Sequence, residues 1–495
     1  GKDLIVHAPT SAGKTLVAEL AMLRLFARRL KSALLVPTRA LASEHAASIA
    51  DSYAALGIQV IRSAGDSSDD DDLLMHGHFD VAVFTYEKFA SLVYRDVGLL
   101  DKLGLVVLDE IQLIGEPGRG RVPELLLALL QERRHRGLGV QILGLCGDFT
   151  DLGGLPEWLL AEVVGDLRRP IPLKEHGVDA TGLFTATLRD AQSIEDGQLE
   201  HFGVDLTGIA DFRKDLIAER ITIAVVGRLL SEGKQVLVFR SSRAKVRQTA
   251  RKLATQLSLP DLGDLAATLV EASAGHEGSR LSRMLEESIT RGIGFHSSEL
   301  DDHERAFVEQ AFRAGHLRVV VATTTLAEGV NLPADAVVIT DHEFYQGPRN
   351  DPKPYDAVQY RNMAGRAGRV GQGMESGDSF LIASTPAERG TLADQYLLTR
   401  KGSISAGMDG MSARDRVLAA GAIARRGTVM DFVGVLSNTF WGYRNRGDAA
   451  WRERLREETD EALEYLSALG VFQRTGGRDY TVARSGATCA LYGVR

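Results

Sequence analysis

The stretch Ala8-Pro-Thr-Ser-Ala-Gly-Lys14-Thr15 lies between a short apolar run, Leu4 to Val6, and a segment with helical spacing of apolar residues. This order predicts a strand, a glycine-containing loop and a helix, in which backbone N–H groups and the helix N-terminus bind a polyphosphate. The Lys14 ammonium would reach the β- and γ-phosphates, and the Thr15 hydroxyl would bind Mg²⁺. The loop departs from the general pattern at Ala8, where glycine is usual.

A second motif, Asp109-Glu110-Ile111-Gln112, follows another strand-like run, Leu105 to Leu108. Asp109 is predicted to be a second Mg²⁺ ligand, and Glu110 to activate a water molecule. The alternative is that the first motif is an ordinary glycine-containing turn and the second an unrelated acidic strand end. The two motifs in this order favour a phosphate-hydrolysing site.

The composition is that of a globular protein, with 44% hydrophobic and 25% charged residues in 495. This length predicts about three domains. No apolar stretch is long enough to span a bilayer, no signal peptide precedes the first motif, and two cysteines do not make a disulfide framework. We therefore expect a cytoplasmic protein. A net charge of −8 argues against a polycation, but a basic groove for nucleic acid is compatible with it.

Short apolar runs alternate with helix-like stretches over most of the chain. This alternation predicts an α/β fold with two doubly wound parallel-sheet domains, one over 1–180 and one over 181–400. The runs expected to be strands are 4–6, 33–36, 58–61, 81–84, 105–108, 140–145, 236–239, 293–295, 318–322 and 336–340.

The last part of the chain has a different pattern. Residues 400–412 are rich in glycine and serine and predict a linker. Helix-like stretches follow, and then two short strands around Gly476-Gly477, so that 410–495 is predicted to be a winged-helix domain. The aromatic residues Phe440, Trp441 and Tyr443 predict that this domain packs on the rest of the protein.

Two further motifs, Pro37-Thr38-Arg39-Ala40-Leu41 and Thr85-Tyr86-Glu87-Lys88, follow predicted strands, where open α/β sheets bind their ligands. In the second half the motifs are, in order, Val238 to Arg243, Gly294-Phe295-His296, Ala322 to Pro333 and Met363-Ala364-Gly365-Arg366-Ala367-Gly368-Arg369. With these motifs in this order the chain resembles the superfamily-two helicases of the Ski-like branch, in which two RecA-like domains precede a winged helix. Within that branch it is similar to the archaeal repair helicases and to the helicase domain of polymerase theta.

The resemblance implies ATP and Mg²⁺ as cofactors. It implies a nucleotide site formed by Thr10, Ser11, Ala12, Gly13, Lys14, Thr15 and Gly329, with Arg366 and Arg369 as arginine fingers. It implies that a nucleic-acid strand contacts Thr38, Arg39, Thr85, Ser241, Arg243, His296 and Thr323 through its phosphates. For each hydroxyl in this set a helix-capping or turn role is the alternative, and for His296 it is a packed histidine.

The segment Asp341 to Arg349 occupies the place of the strand-separating hairpin of these helicases, and Gly347-Pro348 is a turn signal. Phe344 or Tyr345 would stack on the last base pair, a contact worth about 1–3 kcal/mol per base. The alternative is that these aromatic residues anchor the loop to its domain.

The chain departs from the family pattern at Cys146-Gly147-Asp148, where Ser-Ala-Thr is usual, and at Gln112, where histidine is common. In these helicases this motif couples the ATP site to strand separation, so the resemblance leaves coupling in this chain as a question for the altered motif. We hypothesise a hydrogen bond between Gln112 and Asp148, the alternative being that Asp148 caps a helix or faces solvent. The strand and glutamine that usually contact adenine are not found before Gly1, which predicts either upstream residues or relaxed base selectivity.

The resemblance therefore predicts an ATP hydrolase that acts as a 3′→5′ DNA helicase on single-stranded and forked nucleic acid, in DNA repair and associated with the nucleoid. The alternatives are an RNA helicase of the same branch and an ATP-gated nucleic-acid clamp that does not unwind. The ratchet helices of the archaeal proteins would lie beyond Arg495, so we expect strand grip to need such a domain or a protein partner.

Overall fold

The computed structural model describes residues 2–9, 12–65, 70–116, 118–147, 149, 151–166, 168–190, 194–201, 204, 206, 213–272, 279–324, 326, 332–346, 351–368, 376–398, 403–448, 450–475 and 479–483. The chain divides into two compact units. One contains Gly1–Ala8, Gly13–Asp166 and Gly402–Arg495, and the other contains Pro9–Ala12 and Leu167–Lys401. The boundary after Asp166 comes earlier than the predicted position at 180.

The first unit contains a parallel sheet. Its strands are β1 Leu4–His7, β2 Lys31–Val36, β3 Val60–Ser63, β4 Val81–Thr85, β5 Leu103–Leu108, β6 Gln141–Cys146 and β7 Glu162–Val164. Over the described residues the order is β3-β4-β2-β5-β6-β1-β7, with every pair parallel. Strand β4 is buried along its whole length and β2 along all but its first residue, because helices cover both faces of such a sheet.

Helices follow most of these strands. They are α1 Lys14–Phe26, α2 Arg39–Ser52, α3 Asp71–His76, α4 Tyr86–Arg95, α5 Arg121–His135 and α6 Leu155–Leu159, with 3₁₀ turns at Ala54–Leu56, Val97–Lys102 and Ile111–Gly115. The expected runs 4–6, 33–36, 58–61, 81–84, 105–108 and 140–145 all overlap strands of this sheet. The α/β alternation predicted for this part of the chain is confirmed.

The second unit contains a mixed sheet and a separate hairpin. The sheet strands are β8 Arg168–Val178, β9 Gly182–Asp190, β10 Ile194–His201, β11 Val236–Arg240, β12 Ile293–His296, β13 Val319–Thr323, β14 Ala336–Ile339 and β17 Gly377–Ile382, and the hairpin strands are β15 Glu343–Gln346 and β16 Asp351–Pro354. Among the described residues the sheet order is β10-β9-β8-β17-β14-β11-β13-β12. The pairs β8–β9 and β9–β10 are antiparallel, and the others are parallel.

The strands β8, β9 and β10 were not among the predicted ones, because polar residues interrupt their apolar positions and leave no continuous run. The helices of this unit are α7 Lys214–Ser231, α8 Arg243–Gln256, α9 Gly263–Ala272, α10 Arg280–Thr290, α11 Asp302–Arg313, α12 Ala357–Ala364 and α13 Pro386–Leu392, followed by a π-helical turn at Ala393–Leu397.

The last elements form a winged helix, as the pattern predicted. Its helices are α14 Ala413–Ala424, α15 Val429–Asn438, α16 Phe440–Asn445 and α17 Trp451–Ala468, and its strands are β18 Arg426–Gly427, β19 Phe472–Arg474 and β20 Tyr480–Val482. The strands pair antiparallel in the order β18-β20-β19.

The winged helix packs on the first RecA-like domain, within one compact unit. The Phe440 ring lies 5.3 Å from the Trp158 ring, measured between centroids, and the indole N–H of Trp158 donates to the Asn438 carbonyl over 3.0 Å. Phe440 is fully buried and Trp441 is nearly so. The packing predicted from these aromatic residues is confirmed for the first domain.

The glycine- and serine-rich segment before the winged helix is packed along residues 403–408, which corrects the prediction of a linker there. Ile404, Ala406 and Met408 are buried, and the backbone of Gly407 lies so close to Gly120 that a Cβ atom would come within 2.2 Å of the Gly120 carbonyl carbon. The small residues in this segment allow its backbone to pack closely against the first domain, and they do not make it a flexible linker.

No described helix has both the length and the apolar composition of a bilayer span.

Candidate nucleotide and nucleic-acid sites

The phosphate loop connects β1 to α1 as predicted. Gly13 has φ +81°, a left-handed conformation that glycine adopts without steric cost, and it directly precedes the thirteen-residue helix α1. The Lys14 ammonium donates to the Ala8 carbonyl over 2.9 Å, so this side chain folds back across the loop. Thr15 is exposed on the first turn of α1. Thr10 and Ser11 lie outside the described residues.

The acidic motif lies at the end of β5, two strands from β1 in the same parallel sheet. Because the carboxyl ends of parallel strands meet at one edge, the fold brings Lys14, Thr15, Asp109 and Glu110 to the same edge of the sheet. The Asp109 backbone is held on both sides: its N–H donates to the Leu35 carbonyl over 2.9 Å, and the Tyr86 hydroxyl donates to its carbonyl over 2.7 Å.

The electrostatics of this edge favour a bound cation. Burial, together with the neighbouring Glu110 carboxylate, raises the pKa of Asp109 to about 7, although the Lys14 ammonium opposes the rise. Glu110 itself has φ 53° and ψ 49°, a left-handed conformation that is strained in a residue with a Cβ atom and recurs at functional sites. Two adjacent carboxylates in a partly buried place fit a divalent cation that neutralises them.

The described residues contain no group of three or more His, Cys, Asp or Glu side chains arranged to hold a metal ion. Mg²⁺ keeps several water ligands and is usually bound through one or two carboxylates and substrate phosphates. The Thr15 hydroxyl and the Asp109 carboxylate are the residues suited to hold it.

Gln112 connects the acidic motif to the motif after β6. Its amide nitrogen donates to the Glu110 carboxylate, and its amide oxygen accepts from the Gly147 N–H over 3.0 Å. A Cβ atom at Gly147 would lie 3.1 Å from the Gln112 amide nitrogen, so glycine leaves space for this bridge. Asp148 lies outside the described residues, and the hypothesised bond between Gln112 and Asp148 stays a prediction.

Arg366 follows α12 in a loop that the backbone holds in place. Its carbonyl accepts from the Ala334 N–H over 2.9 Å, and the Gly368 N–H donates to the Ala334 carbonyl over 2.9 Å. Gly377 lies against this loop, where a Cβ atom would come within 2.6 Å of the Ala367 carbonyl carbon. Arg369 and Gly329 lie outside the described residues.

In the first unit, two predicted phosphate-contacting hydroxyls cap helices. Thr38 accepts from the Leu41 N–H over 3.3 Å at the start of α2, and Thr85 accepts from the Lys88 N–H over 3.3 Å at the start of α4. Both helices begin at the carboxyl edge of the sheet. Arg39 is exposed, and its guanidinium lies over Gly65, where a Cβ atom would be 2.6 Å from it. The capping role is present, and it leaves the helix N-termini available to phosphates.

In the second unit, the predicted contacts have unequal exposure. Arg243 is exposed and lies 3.7 Å from Glu299, whereas His296 is buried and bonded to Glu309 over 2.9 Å. Thr323 is nearly buried at the end of β13, and the Ser241 hydroxyl is buried without a hydrogen-bond partner among the described atoms. The surroundings of His296 match the packed-histidine alternative.

Sequence reasoning missed Asp341, which organises the strand ends next to Ser241. Its carboxylate accepts from the Ser241 N–H over 2.8 Å, from Arg240 Nε over 2.9 Å and from Lys245 Nζ over 2.8 Å. Although burial raises the pKa of Asp341, Arg240 and Lys245 bring it below its ordinary value. Asp341 directly follows the predicted strand at 336–340, and this position at a strand end could have identified it from the sequence.

The segment expected to form a strand-separating hairpin, Asp341 to Arg349, contains β15, which pairs antiparallel with β16 just beyond it; residues 347–350 lie outside the described residues. Phe344 is half-buried and stacks on Tyr355, with ring centroids 5.5 Å apart and an interplanar angle of 11°. This is the anchoring alternative for Phe344. The backbone of Tyr345 lies in β15, opposite Pro352, and its base-stacking role stays a prediction.

Comparison with known families and proteins agrees with this geometry. The model of the DEAD/DEAH box helicase matches residues 1–145, and that of the helicase conserved C-terminal domain matches residues 266–371. The chain is 32% identical to the ATP-dependent DNA helicase Hel308 of Pyrobaculum calidifontis over 495 residues, covering 99% of this chain and 65% of that protein.

Two other relatives carry the same name. The protein of Caldivirga maquilingensis is 32% identical over 484 residues, which are 94% of this chain and 59% of that protein. The protein of Thermoplasma acidophilum is 34% identical over 372 residues, which are 75% of this chain and 49% of that protein. The chain thus spans 49% to 65% of the length of these relatives.

Proposed function

Because this chain belongs to the superfamily-two helicases, we propose that it is an ATP-driven motor that moves 3′→5′ along a DNA strand and separates the duplex at single-strand junctions. The observation that carries the proposal is the meeting of Lys14, Thr15, Asp109 and Glu110 at one sheet edge, in a chain similar over 99% of its length to an ATP-dependent DNA helicase. Since the chain spans 65% of that relative, substrate and direction are part of the proposal.

For nucleotide hydrolysis, Lys14 leaves its bond to the Ala8 carbonyl and pairs with the β- and γ-phosphates of ATP. The Thr15 hydroxyl and the Asp109 carboxylate would hold Mg²⁺, which would supply neutralisation of phosphate charge. Glu110 accepts the proton of the attacking water, and Gln112 holds its carboxylate by donating to one oxygen. Positioning and charge neutralisation suffice for this reaction, which needs no covalent intermediate.

We propose Arg366 and Arg369 as the arginine fingers, which contribute about 10³–10⁵ in rate in related enzymes. The rigid backbone of the loop around Arg366 supports this assignment, because a finger must be presented in one fixed geometry.

In each unit, we propose that the loops following the sheet strands contact the phosphates of the nucleic acid. Phosphate contacts carry no sequence preference. The groups suited to make them are the helix N-termini capped by Thr38 and Thr85 and the exposed side chains of Arg39 and Arg243. Ser241 and Thr323 lie at strand ends and would contribute to phosphate binding there. Buried His296 would act by holding the end of its strand in place. Action on DNA would associate the protein with the nucleoid.

A clamp that hydrolyses ATP without unwinding is the second candidate, because Cys146-Gly147-Asp148 departs from the usual coupling motif. The bridge from Glu110 through Gln112 to the Gly147 backbone favours the motor, since it still joins the ATP site to this motif.

Two measurements on the same protein test the proposal. The first compares stimulation of ATP hydrolysis by single-stranded DNA and by single-stranded RNA of equal length. The second follows unwinding of duplexes with a 3′ or a 5′ single-stranded tail. We expect stimulation by DNA and unwinding of the 3′-tailed duplex, with Lys14→Ala as the inactive control.

Stronger stimulation by RNA would identify an RNA helicase, and ATP hydrolysis without strand separation would identify the clamp. Either result would overturn the proposed function.

A further inference from the structure

The helix that directly precedes Arg366, α12, is held by a buried ion pair. Helix α12 ends at Ala364, and Arg366 follows after Gly365, with its N–H bonded to the Met363 carbonyl over 3.1 Å. The position of Arg366 therefore depends on the position of α12. The Ala334 backbone holds the loop from its other side.

The anchor of α12 is Glu175, on β8. Its carboxylate is 1% exposed and accepts from two consecutive residues of α12: from the Tyr360 hydroxyl over 2.9 Å and from the Arg361 guanidinium. Tyr360 is itself 1% exposed, and Arg361 is 8% exposed. A carboxylate buried to this extent needs both a charge partner and hydrogen bonds, and α12 supplies both.

The same helix is tied on its far side to the π-helical turn. Arg361 also donates to the Tyr396 carbonyl over 2.9 Å, and the Tyr360 and Tyr396 rings lie 4.9 Å apart between centroids. The Tyr396 hydroxyl donates to the Tyr355 carbonyl over 2.7 Å. Arg361 is thus held between Glu175 and the π-helical turn, and cannot rotate or slide without breaking bonds that are shielded from water.

We propose that Glu175 is a positioning residue for the arginine finger Arg366, acting through Tyr360 and Arg361 on the orientation of α12. The proposal rests on the proposed function, because it assigns Glu175 a part in ATP hydrolysis. A finger contributes only if its guanidinium meets the charge that develops in the transition state, so a small rotation of α12 lowers the rate without changing nucleotide affinity. Local packing alone does not require a charged residue on β8, since an apolar pair of similar volume would fill the same space.

The test is a double-mutant cycle on ATP hydrolysis with Glu175→Gln and Arg366→Ala, measured singly and together by kcat and KM. Arg366→Ala should lower kcat about 10³-fold. Glu175→Gln should lower kcat about tenfold and change the KM for ATP less than about twofold. A tenfold effect lies within the range of interaction energies measured between residues of one hydrogen-bond network. In the Arg366→Ala background, Glu175→Gln should have no further effect, because the group that it positions is gone.

Two further variants keep the cycle interpretable. Tyr360→Phe removes one hydrogen bond and keeps the ring and the charge pair, and it should lower kcat in the wild-type background only. Glu219→Gln is the matched control: Glu219 is also buried and pairs with Lys252, but it lies on α7. It should leave kcat unchanged in both backgrounds, and thermal unfolding should show that all variants are folded.

Equal losses from Glu175→Gln with and without Arg366 would show that Glu175 only supports the fold, and an unchanged kcat would show that it has no part; each would overturn the inference. A wild-type protein without ATP hydrolysis would instead overturn the proposed function itself.

Discussion

At the scale of single residues, the strand end after β5 shows how the backbone and its neighbours prepare a carboxylate for chemistry. Glu110 adopts a left-handed backbone conformation, and Gln112 donates to its carboxylate while accepting from Gly147. The energetic cost of this conformation is acceptable where the surrounding bonds enforce it. Lys14 and Glu110 therefore have separable roles, one in binding and one in the chemical step.

We predict that Lys14→Ala and Glu110→Gln both abolish ATP hydrolysis, for different reasons. Lys14→Ala removes a positive charge that pairs with phosphate and should weaken ATP binding. Glu110→Gln keeps the binding residues but cannot accept the proton of the attacking water, so ATP should stay bound. Binding of a fluorescent ATP analogue, measured beside turnover, distinguishes them, and normal turnover of Glu110→Gln would remove Glu110 from the mechanism.

We predict that Gln112→Glu lowers kcat by about tenfold or more, because it replaces the donor facing Glu110 by a second carboxylate of equal size. The new carboxylate can still accept from the Gly147 N–H, so the loop position should be kept. Gln131→Glu is a matched control, since Gln131 is also a nearly buried amide in the same unit but donates to the Trp158 carbonyl. Equal kcat values for wild type and Gln112→Glu would contradict the prediction.

At the residue scale, Asp148→Ala tests the coupling hypothesis that the structure leaves open. We predict nearly unchanged basal ATP hydrolysis and less duplex unwound per ATP consumed, because the change affects the link and not the nucleotide site. An Asp148→Ala protein with unchanged coupling would remove the hypothesis.

At the scale of elements, the loop after α12 depends on a glycine in the neighbouring strand. A Cβ atom at Gly377 would lie 2.6 Å from the Ala367 backbone, and backbone cannot move aside as the end of a side chain can. We predict that Gly377→Ala displaces the loop and lowers kcat at least about tenfold, with a lower melting temperature. Gly390→Ala, in α13 with nothing within 4 Å of the added Cβ, should leave kcat unchanged. Equal effects of the two changes would show that the close contact is unimportant.

At the scale of the whole molecule, one buried carboxylate joins the winged helix to the first domain. Glu124 on α5 is fully buried and accepts from the Met408 N–H over 3.0 Å and the Trp441 N–H over 2.6 Å. Burial raises the pKa of Glu124 to about 7, although these N–H donors oppose the rise. The packing of residues 403–408 and of α16 thus depends on this group.

A raised pKa in the folded protein means that folding takes up a proton at Glu124. The stability that this provides is fully present below the ordinary glutamate pKa and is lost as the pH rises through about 7. We predict that the melting temperature of wild type falls relative to that of Glu124→Gln between pH 5 and pH 8, because glutamine does not titrate. Parallel melting curves across this range, or the opposite slope, would contradict the prediction.

The sequence by itself determined the local chemistry: the strand–loop–helix around Lys14, the acidic strand end, the helix caps, the two α/β series and the winged helix. These features depend on residues that are near neighbours in the chain, so their spacing carries the information. Only the tertiary structure decided the rest. Glu175 meets Arg361 across 186 positions, and Glu124 meets Trp441 across 317. Such pairs, like the packed segment 403–408, arise when strand order and domain packing bring distant residues together, which no local pattern encodes.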